Sequence, residues 1–272
     1  MRFFNKIKFN RYYWRIYTNS RKMKGFKRIL YISWKSLLVP FKHKFNIWDY
    51  VDKVKRNGFI YTLGDGTKFF LPNCEKDTIQ KSILRNEYYY SGDDLDLLRD
   101  KYIHKDSNIL DIGANIGNHS LYFCAECKAK MVYSFEPQKD IFEILNKNIE
   151  LNGYENKIVT FNKGLGENSG KGSMTRGNEN NSGGAILSVD QGGDVDIIAI
   201  DDLDFPGINF IKIDVEGFEY SVLKGAKNLI DRDRPVIWIE IKKDNFDKVD
   251  SLLVDYGYRI IFNNGEDYLY TN

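Results

Sequence analysis

Cysteine is scarce in this sequence. Three cysteines in 272 residues cannot frame a disulfide-stapled fold. Cys124-Ala-Glu-Cys127 has CxxC spacing, but it lacks a second pair and a neighbouring set of histidines, which argues against zinc. The pair falls on an expected helix, where a core-facing stripe accounts for it. Long apolar runs are also missing, since no stretch approaches the roughly 18 residues that span a bilayer. The start, MRFFNKIKFNRYYWR, is basic like the first part of a signal peptide, yet no apolar segment follows it. Together these absences predict a reducing, cytoplasmic setting. Acidic residues are absent from positions 1–48, which hold thirteen of the 40 Lys and Arg. All 38 Asp and Glu therefore lie in residues 49–272, so a formal charge of +2 hides a basic arm on an acidic body.

In that arm Phe26, Ile29, Leu30, Trp34, Leu37, Leu38 and Phe41 recur at helical spacing among lysines and arginines, and Pro40 marks the expected end. Three partners suit such a helix: an anionic membrane surface, nucleic acid, or the acidic body of the chain itself. The length allows one α/β domain of about 150 residues with appendages. Three regions are expected: the arm at 1–57, a hairpin and helical cap at 58–104, and the main domain at 105–272. The alternation GFIYTL-GDG-TKFFLP places a hairpin turn at Asp65-Gly66. The triplet Tyr88-Tyr89-Tyr90 follows in a polar, helical stretch placed to cover a ligand mouth or to pack at an interface.

From Asn108 the pattern becomes regular, with strands expected at 108–114, 130–136 and 157–163 and helices between them. A Gly-, Asn- and Ser-rich break runs from Gly164 to Gly193, and its length predicts a lid or substrate loop with a short hairpin near Ala185–Val189. Strands resume at Val195–Ile200, Asn209–Asp214 and Val236–Ile241, with helices at Phe218–Ile230 and Phe246–Tyr256, and Asn263-Asn264-Gly265-Glu266 joins a final hairpin. The fold class is therefore α/β: a Rossmann-like, mainly parallel sheet closed by an antiparallel C-terminal hairpin.

NILDIGANIGNHS followed by MVYSFEP reads strand, glycine turn, helix, strand, acid. Gly113 and Gly117 let the backbone turn tightly and approach a ligand. Glu136, nineteen residues past Gly117, ends the next strand, where it can accept hydrogen bonds from a ribose. A pyrophosphate site usually spells G-x-G-x-x-G; here Asn115 stands inside G-A-N-I-G. A ligand without phosphate fits this loop better, and Asp111 suits one that carries an ammonium and a sulfonium, which points to S-adenosylmethionine. A second charged constellation, FIKIDVEGFE at 210–219, brings Lys212, Asp214 and Glu216 to the carboxyl end of a core strand, and RPVIWIE adds Glu240. Burying acids is costly unless they are paired, and Lys212 is the natural partner.

On these segments, together with NKGLG at 162–166, AIDDL at 199–203 and FIKIDVEGFEYSVLKGA at 210–226, the sequence resembles the FkbM family of methyltransferases over residues 100–245. The resemblance implies that Asp111, Gly113, Asn115, Gly117 and Glu136 bind S-adenosylmethionine. It also implies that Lys212, Asp214 and Glu216 border the reacting hydroxyl of a sugar or glycolipid acceptor, frequently a bacterial glycan. The arm matches no motif of the family. A hydroxyl needs a base before it attacks a methyl group. Asp214 is the preferred base, with His119, Glu216 and Glu240 as alternatives. Two carboxylates, Asp214 and Glu240, are thin grounds for a metal. Base-amino methylation wants Asn or Asp before Pro-Pro and an aromatic, and C5 attack on cytosine wants Pro-Cys; neither follows the strand at 209–214. The competing expectation is an RNA- or membrane-binding module on a Rossmann-like body without methyl transfer.

Overall fold

The computed structural model describes residues 47–176 and 182–272. The basic arm and the membrane or nucleic-acid contact expected of it lie outside the described residues. Residues 50–272 form one compact unit.

The elements follow in chain order. They begin with α1 (Ile47–Arg56), β1 (Ile60–Thr62), β2 (Lys68–Phe70), α2 (Thr78–Asn86), α3 (Gly92–Lys101), β3 (Asn108–Ile112), α4 (Asn118–Ala125) and β4 (Met131–Phe135). Next come α5 (Lys139–Asn152), β5 (Ile158–Phe161), β6 (Gly164–Leu165), β7 (Gly170–Arg176), β8 (Ala185–Val189), β9 (Val195–Ile198) and β10 (Phe210–Ile213). The chain ends with α6 (Glu219–Lys224), α7 (Lys227–Asp233), β11 (Val236–Glu240), α8 (Phe246–Asp255), β12 (Arg259–Asn264) and β13 (Asp267–Thr271).

Seven strands form the main sheet in the order β12-β13-β11-β10-β3-β4-β5. The pairs β3–β4, β4–β5, β3–β10 and β10–β11 are parallel, and β13 runs antiparallel to both β11 and β12. Central strands covered on both faces read as unbroken apolar runs, and every residue of β3 and β10 is buried. The chain leaves β3 toward β4 on one side and returns to β10 on the other. The crevice between β3 and β10 is thus the topological switch point, where ligands of open α/β sheets sit.

In its described residues, the stretch from Gly164 to Gly193 is more ordered than its composition suggests. It supplies β6, β7 and β8, which join β9 in a second, four-stranded sheet of order β6-β9-β7-β8. β7 and β8 form the hairpin, with Gly172 opposite Val189 and Met174 opposite Leu187. Glycine is needed here for close packing: a Cβ at Gly172 would stand 2.6 Å from the Ser188 carbonyl oxygen. β9, expected in the main sheet, belongs to this second layer. The single helix expected over 218–230 is two helices, because Gly225 lies so close to the Gly166 backbone that a Cβ there would meet its oxygen at 2.0 Å.

The hairpin β1–β2 pairs Ile60 with Phe70 and Thr62 with Lys68, and it docks on α5 through Asn148 and Asn152, whose Oδ1 atoms accept from the Phe70 and Lys68 amides. Asp96 of α3 accepts from Tyr88 Oη (2.8 Å) and Tyr122 Oη (2.6 Å), tying the cap to α4. Cys124 and Cys127 are free and buried, and burial pushes both thiols up to about 12.

Candidate active site

β3 ends in the turn Gly113–Gly117, and the backbone donors of this turn are satisfied within the protein. The amides of Gly113 and Ala114 donate to the Phe135 carbonyl, that of Asn115 to Glu136 Oε2, that of Ile116 to Asn115 Oδ1, and that of Gly117 to the Ala114 carbonyl. A loop that cradles pyrophosphate needs such N–H groups free. This one spends them on holding the turn against β4 and its acid. Asn115 tolerates the left-handed conformation (φ 50°) because its short amide bonds locally.

Glu136 follows β4 and is 3% exposed. Its Oε2 accepts from the Asn115 amide at 3.0 Å and its Oε1 from the Gln138 amide at 2.8 Å. The Gln138 side chain hydrogen-bonds the carboxylate as well, so of its roughly four acceptor sites one is left for a further donor such as a ribose hydroxyl. Burial pushes the carboxyl up to about 7, against the pull of the two amides, the Gln138 side chain and Lys212.

Asp111 and Lys212 lie beneath this turn as a buried pair, and neither lines the cleft. Lys212 Nζ is 3.4 Å from Asp111 Oδ1 and 3.5 Å from Asp214 Oδ2. It donates to the carbonyl oxygens of Gly113 (2.6 Å) and Ile112 (3.3 Å). Burial opposes its charge, but Asp214, Asp111 and Glu240 outweigh burial and raise its pKa. Asp111 Oδ2 also accepts from Ser120 Oγ. The geometry thus gives Asp111 and Lys212 the work of fixing the glycine turn from below, and leaves ligand contact to residues above them.

Asp214 sits directly after β10. Its carbonyl oxygen presses against Gly113, where a Cβ would come within 1.8 Å. Only glycine, at φ 74°, lets the two crossing segments meet. Asp214, Glu216 and Glu240 place carboxylate oxygens within 4.8 Å of one another. Lys242 pairs with two of them, its Nζ 2.7 Å from Glu240 and 3.4 Å from Glu216, and Lys212 pairs with Asp214. Glu216 has φ 50°, and burial raises its carboxyl, with Lys242 pulling the other way.

His119, in the first turn of α4, is 7% exposed. Its ring meets Trp238 edge to face at 5.3 Å, and its Nε2 has no hydrogen-bond partner. Burial first, then Lys212, drives its pKa well below the usual histidine range, so it is neutral.

One cleft joins these parts, with about 770 Å³ of empty volume, much of it open to solvent. Gly113, Asn115, His119 and Glu136 line it at the glycine turn, and Asp214 and Glu216 line it at the end of β10. An apolar wall of Met174, Leu187 and Phe218 brings the β7–β8 hairpin over it.

Among the lining residues that were not singled out as site residues in the sequence are Asn118 and Tyr90. Asn118 clamps Tyr90, accepting from its amide at 2.8 Å and donating to its carbonyl at 3.1 Å. Tyr88 and Tyr89 turn into the cap, where Tyr89 Oη donates to Asp65; Tyr90 enters the cleft. Three adjacent tyrosines look alike in a sequence, and only the asparagine in G-N-H-S hints at the clamp.

A glycine turn after the first strand of a sheet in this order, an acid after the second, and a final antiparallel strand pair define the Rossmann-like methyltransferases. A model of the FkbM methyltransferase domain matches residues 111–260, and the chain belongs to that family. The cofactor of such enzymes is S-adenosylmethionine, and the donor-saturated turn with the buried Glu136 above it fits a ligand that has a ribose but no phosphate.

Among curated proteins, hexuronic acid methyltransferase AglP of Haloferax volcanii is 30% identical over 131 residues, 46% of this chain and 52% of that protein. The chain therefore spans about half the length of the curated relative it matches. Among solved structures, the FkbM methyltransferase of Methylobacillus flagellatus aligns over 62% of this chain and 44% of that one, with 23% identity and a TM-score of 0.46. TrmK of M. capricolum, in complex with S-adenosylhomocysteine, aligns over 65% and 66%, with 15% identity and a TM-score of 0.37.

Proposed function

We propose that this protein transfers a methyl group from S-adenosylmethionine to a hydroxyl of a sugar, in a surface glycan or glycolipid. The observation that carries this reading is the place of Asp214: its backbone seats against Gly113 of the cofactor turn, and it lines the same cleft as Glu136. When bound, the cofactor supplies a methyl carbon activated by a sulfonium, open to in-line attack by an oxygen.

The chain's own residues must orient the acceptor and take its proton. Asp214 accepts that proton. Glu216 and Glu240, within reach of Asp214, accept hydrogen bonds from neighbouring sugar hydroxyls. His119 is neutral and serves as a hydrogen-bonding wall, because its depressed pKa makes it a weak base near neutrality. The methyl ether forms as the carbon–sulfur bond breaks, and the proton leaves through the carboxylate.

The acidic wall opposes a multiply charged polyphosphate acceptor more than a sugar with a single carboxylate. The name of the Haloferax relative adds a hexuronic acid as a model acceptor. Incubation with methyl-labelled S-adenosylmethionine and separate glycan, lipid and RNA fractions tests the reading. Label in glycan or glycolipid supports it; label in RNA alone, or in no fraction, overturns it.

A further inference from the structure

Three acids stand in one row across three adjacent strands. Lys212 is in register with Trp238, and Trp238 with Leu269. Two residues on, Glu240 is in register with Asp267, and Asp214 follows Lys212 by the same interval. Side chains alternate along strands, so Asp214, Glu240 and Asp267 share the sheet face that carries Lys212 and Trp238. Directly opposed antiparallel residues hold their Cβ atoms about 4.5–5.5 Å apart, which makes Glu240 and Asp267 close neighbours.

The cations near this row are unevenly shared. Lys212 pairs with Asp111 and Asp214, and Lys242 pairs with Glu216, Glu240 and Glu266. Among the described residues Asp267 has neither an ion pair nor a side-chain hydrogen bond. The groups that face it are Glu240 from β11, Asp94 from α3, and Asp214 and Lys212 from β10. Tyr90, which lines the cleft, feels Asp214, Glu240 and Asp267 together. Carboxylates this crowded cannot all ionise. The outermost member, with no cation of its own, is where a shared proton rests at least cost.

We propose that Asp267 is the proton-holding end of this row and so sets the charge that an acceptor meets beside Glu240. The proposal rests on the reading of the cleft as a methyl-transfer site. Asp267 acts through Glu240 and is therefore a positioning residue. It lies beyond residues 111–260, the segment the family model matches, and belongs to the C-terminal hairpin of this chain. In agreement, burial first, and then Glu240, Asp94 and Asp214, push its carboxyl up to about 7, against the pull of Lys212. With that proton in place, the row as a whole presents one charge fewer to an acceptor.

Two measurements on the full chain separate this from the transfer reading. The first is carboxyl 13C NMR of aspartate-labelled protein from about pH 5 to about pH 9, comparing wild type with Asp267→Asn. One aspartate resonance should titrate near neutrality and be lost in the variant. If no aspartate titrates there, or if the resonance survives the substitution, the proposal is overturned. Glu240→Gln is a second handle should Asp267→Asn fail to fold: removing the neighbouring charge should move the same resonance toward acid by about one pH unit or more, and no movement sinks the idea.

The second measurement is the pH profile of kcat/KM with labelled S-adenosylmethionine and methyl glucuronoside as the probe. Asn mimics the protonated acid at every pH; with S-adenosylmethionine saturating, so that the titration of Glu136 no longer governs cofactor affinity, the remaining step near neutrality should flatten in Asp267→Asn. A uniform drop with an unchanged profile marks a structural role only. If the probe is not methylated by any form, the transfer reading fails on that acceptor, and the NMR titration still decides the role of Asp267.

Discussion

Lys212 Nζ stands 2.6 Å from the carbonyl oxygen of Gly113, so the central strand β10 holds the cofactor turn of β3 through one buried ammonium. Asp111 lies in register with Lys212 on the neighbouring strand. Lysine at this position serves the turn's shape and pairs two carboxylates at once.

Lys212→Met keeps the volume but leaves Asp111 buried and unpaired. Breaking a buried pair in this way costs about 3–5 kcal/mol. Urea unfolding should show that loss, together with weakened cofactor binding. A variant as stable as wild type would mean that Ser120 alone satisfies Asp111.

Gly113→Ala tests the switch point. The new methyl would meet the Asp214 carbonyl oxygen at 1.8 Å with φ at 74°. Backbone strain of this kind costs about 1–3 kcal/mol before any clash is counted. Gly153→Ala shares the positive φ but meets nothing within 4 Å, so it should cost clearly less in the same thermal unfolding assay. Equal losses would defeat the close-approach explanation.

Glu136→Ala should weaken S-adenosylmethionine binding by about 1–3 kcal/mol, the range for hydrogen bonds to a charged group. Calorimetry that shows unchanged affinity, or tighter binding of NAD, would refute the assignment. The pH dependence has a definite sign. The folded carboxyl sits near about 7, above its ordinary 4.5. Its contribution to the stability of the ligand-free protein is therefore complete below its unfolded value and is lost as pH rises through about 7. A ribose donates to the ionised form, so affinity should rise over the same interval. Glu136→Gln should flatten both trends.

Asp214→Asn is nearly isosteric, so the fold and cofactor affinity should hold while turnover falls by about 10²-fold or more, a usual general-base effect. Full activity in that variant would move the proton to Glu216 or Glu240.

Asn118→Ala removes both hydrogen bonds that hold the Tyr90 backbone. Loss of that clamp should raise the KM for the acceptor more than the KM for S-adenosylmethionine. An equal change in both would place Tyr90 outside acceptor binding.

The sequence by itself determined the raw material of the sheet and of the glycine turn with its following acid. Mainly apolar segments such as β3 and β10, the left-handed needs of Gly113 and Gly117, and an acid placed after the second strand are local properties. Each is written in a few consecutive residues. The short hairpin near Ala185–Val189 was legible, but its place in a second sheet with β6 and β9 was not, because the glycines of this stretch signal flexibility in a sequence yet serve close packing against β9 and the neighbouring hairpin strand.

Only the tertiary structure decided the roles of charges. Asp111 and Asp214 flank similar apolar runs, yet one is sealed under the turn and the other lines the cleft. Asp267 lies more than fifty residues from Asp214 in the chain. Strand register alone sets it in one row with Glu240 and Asp214, and crowding of like charges is a property of that register, invisible to any local pattern.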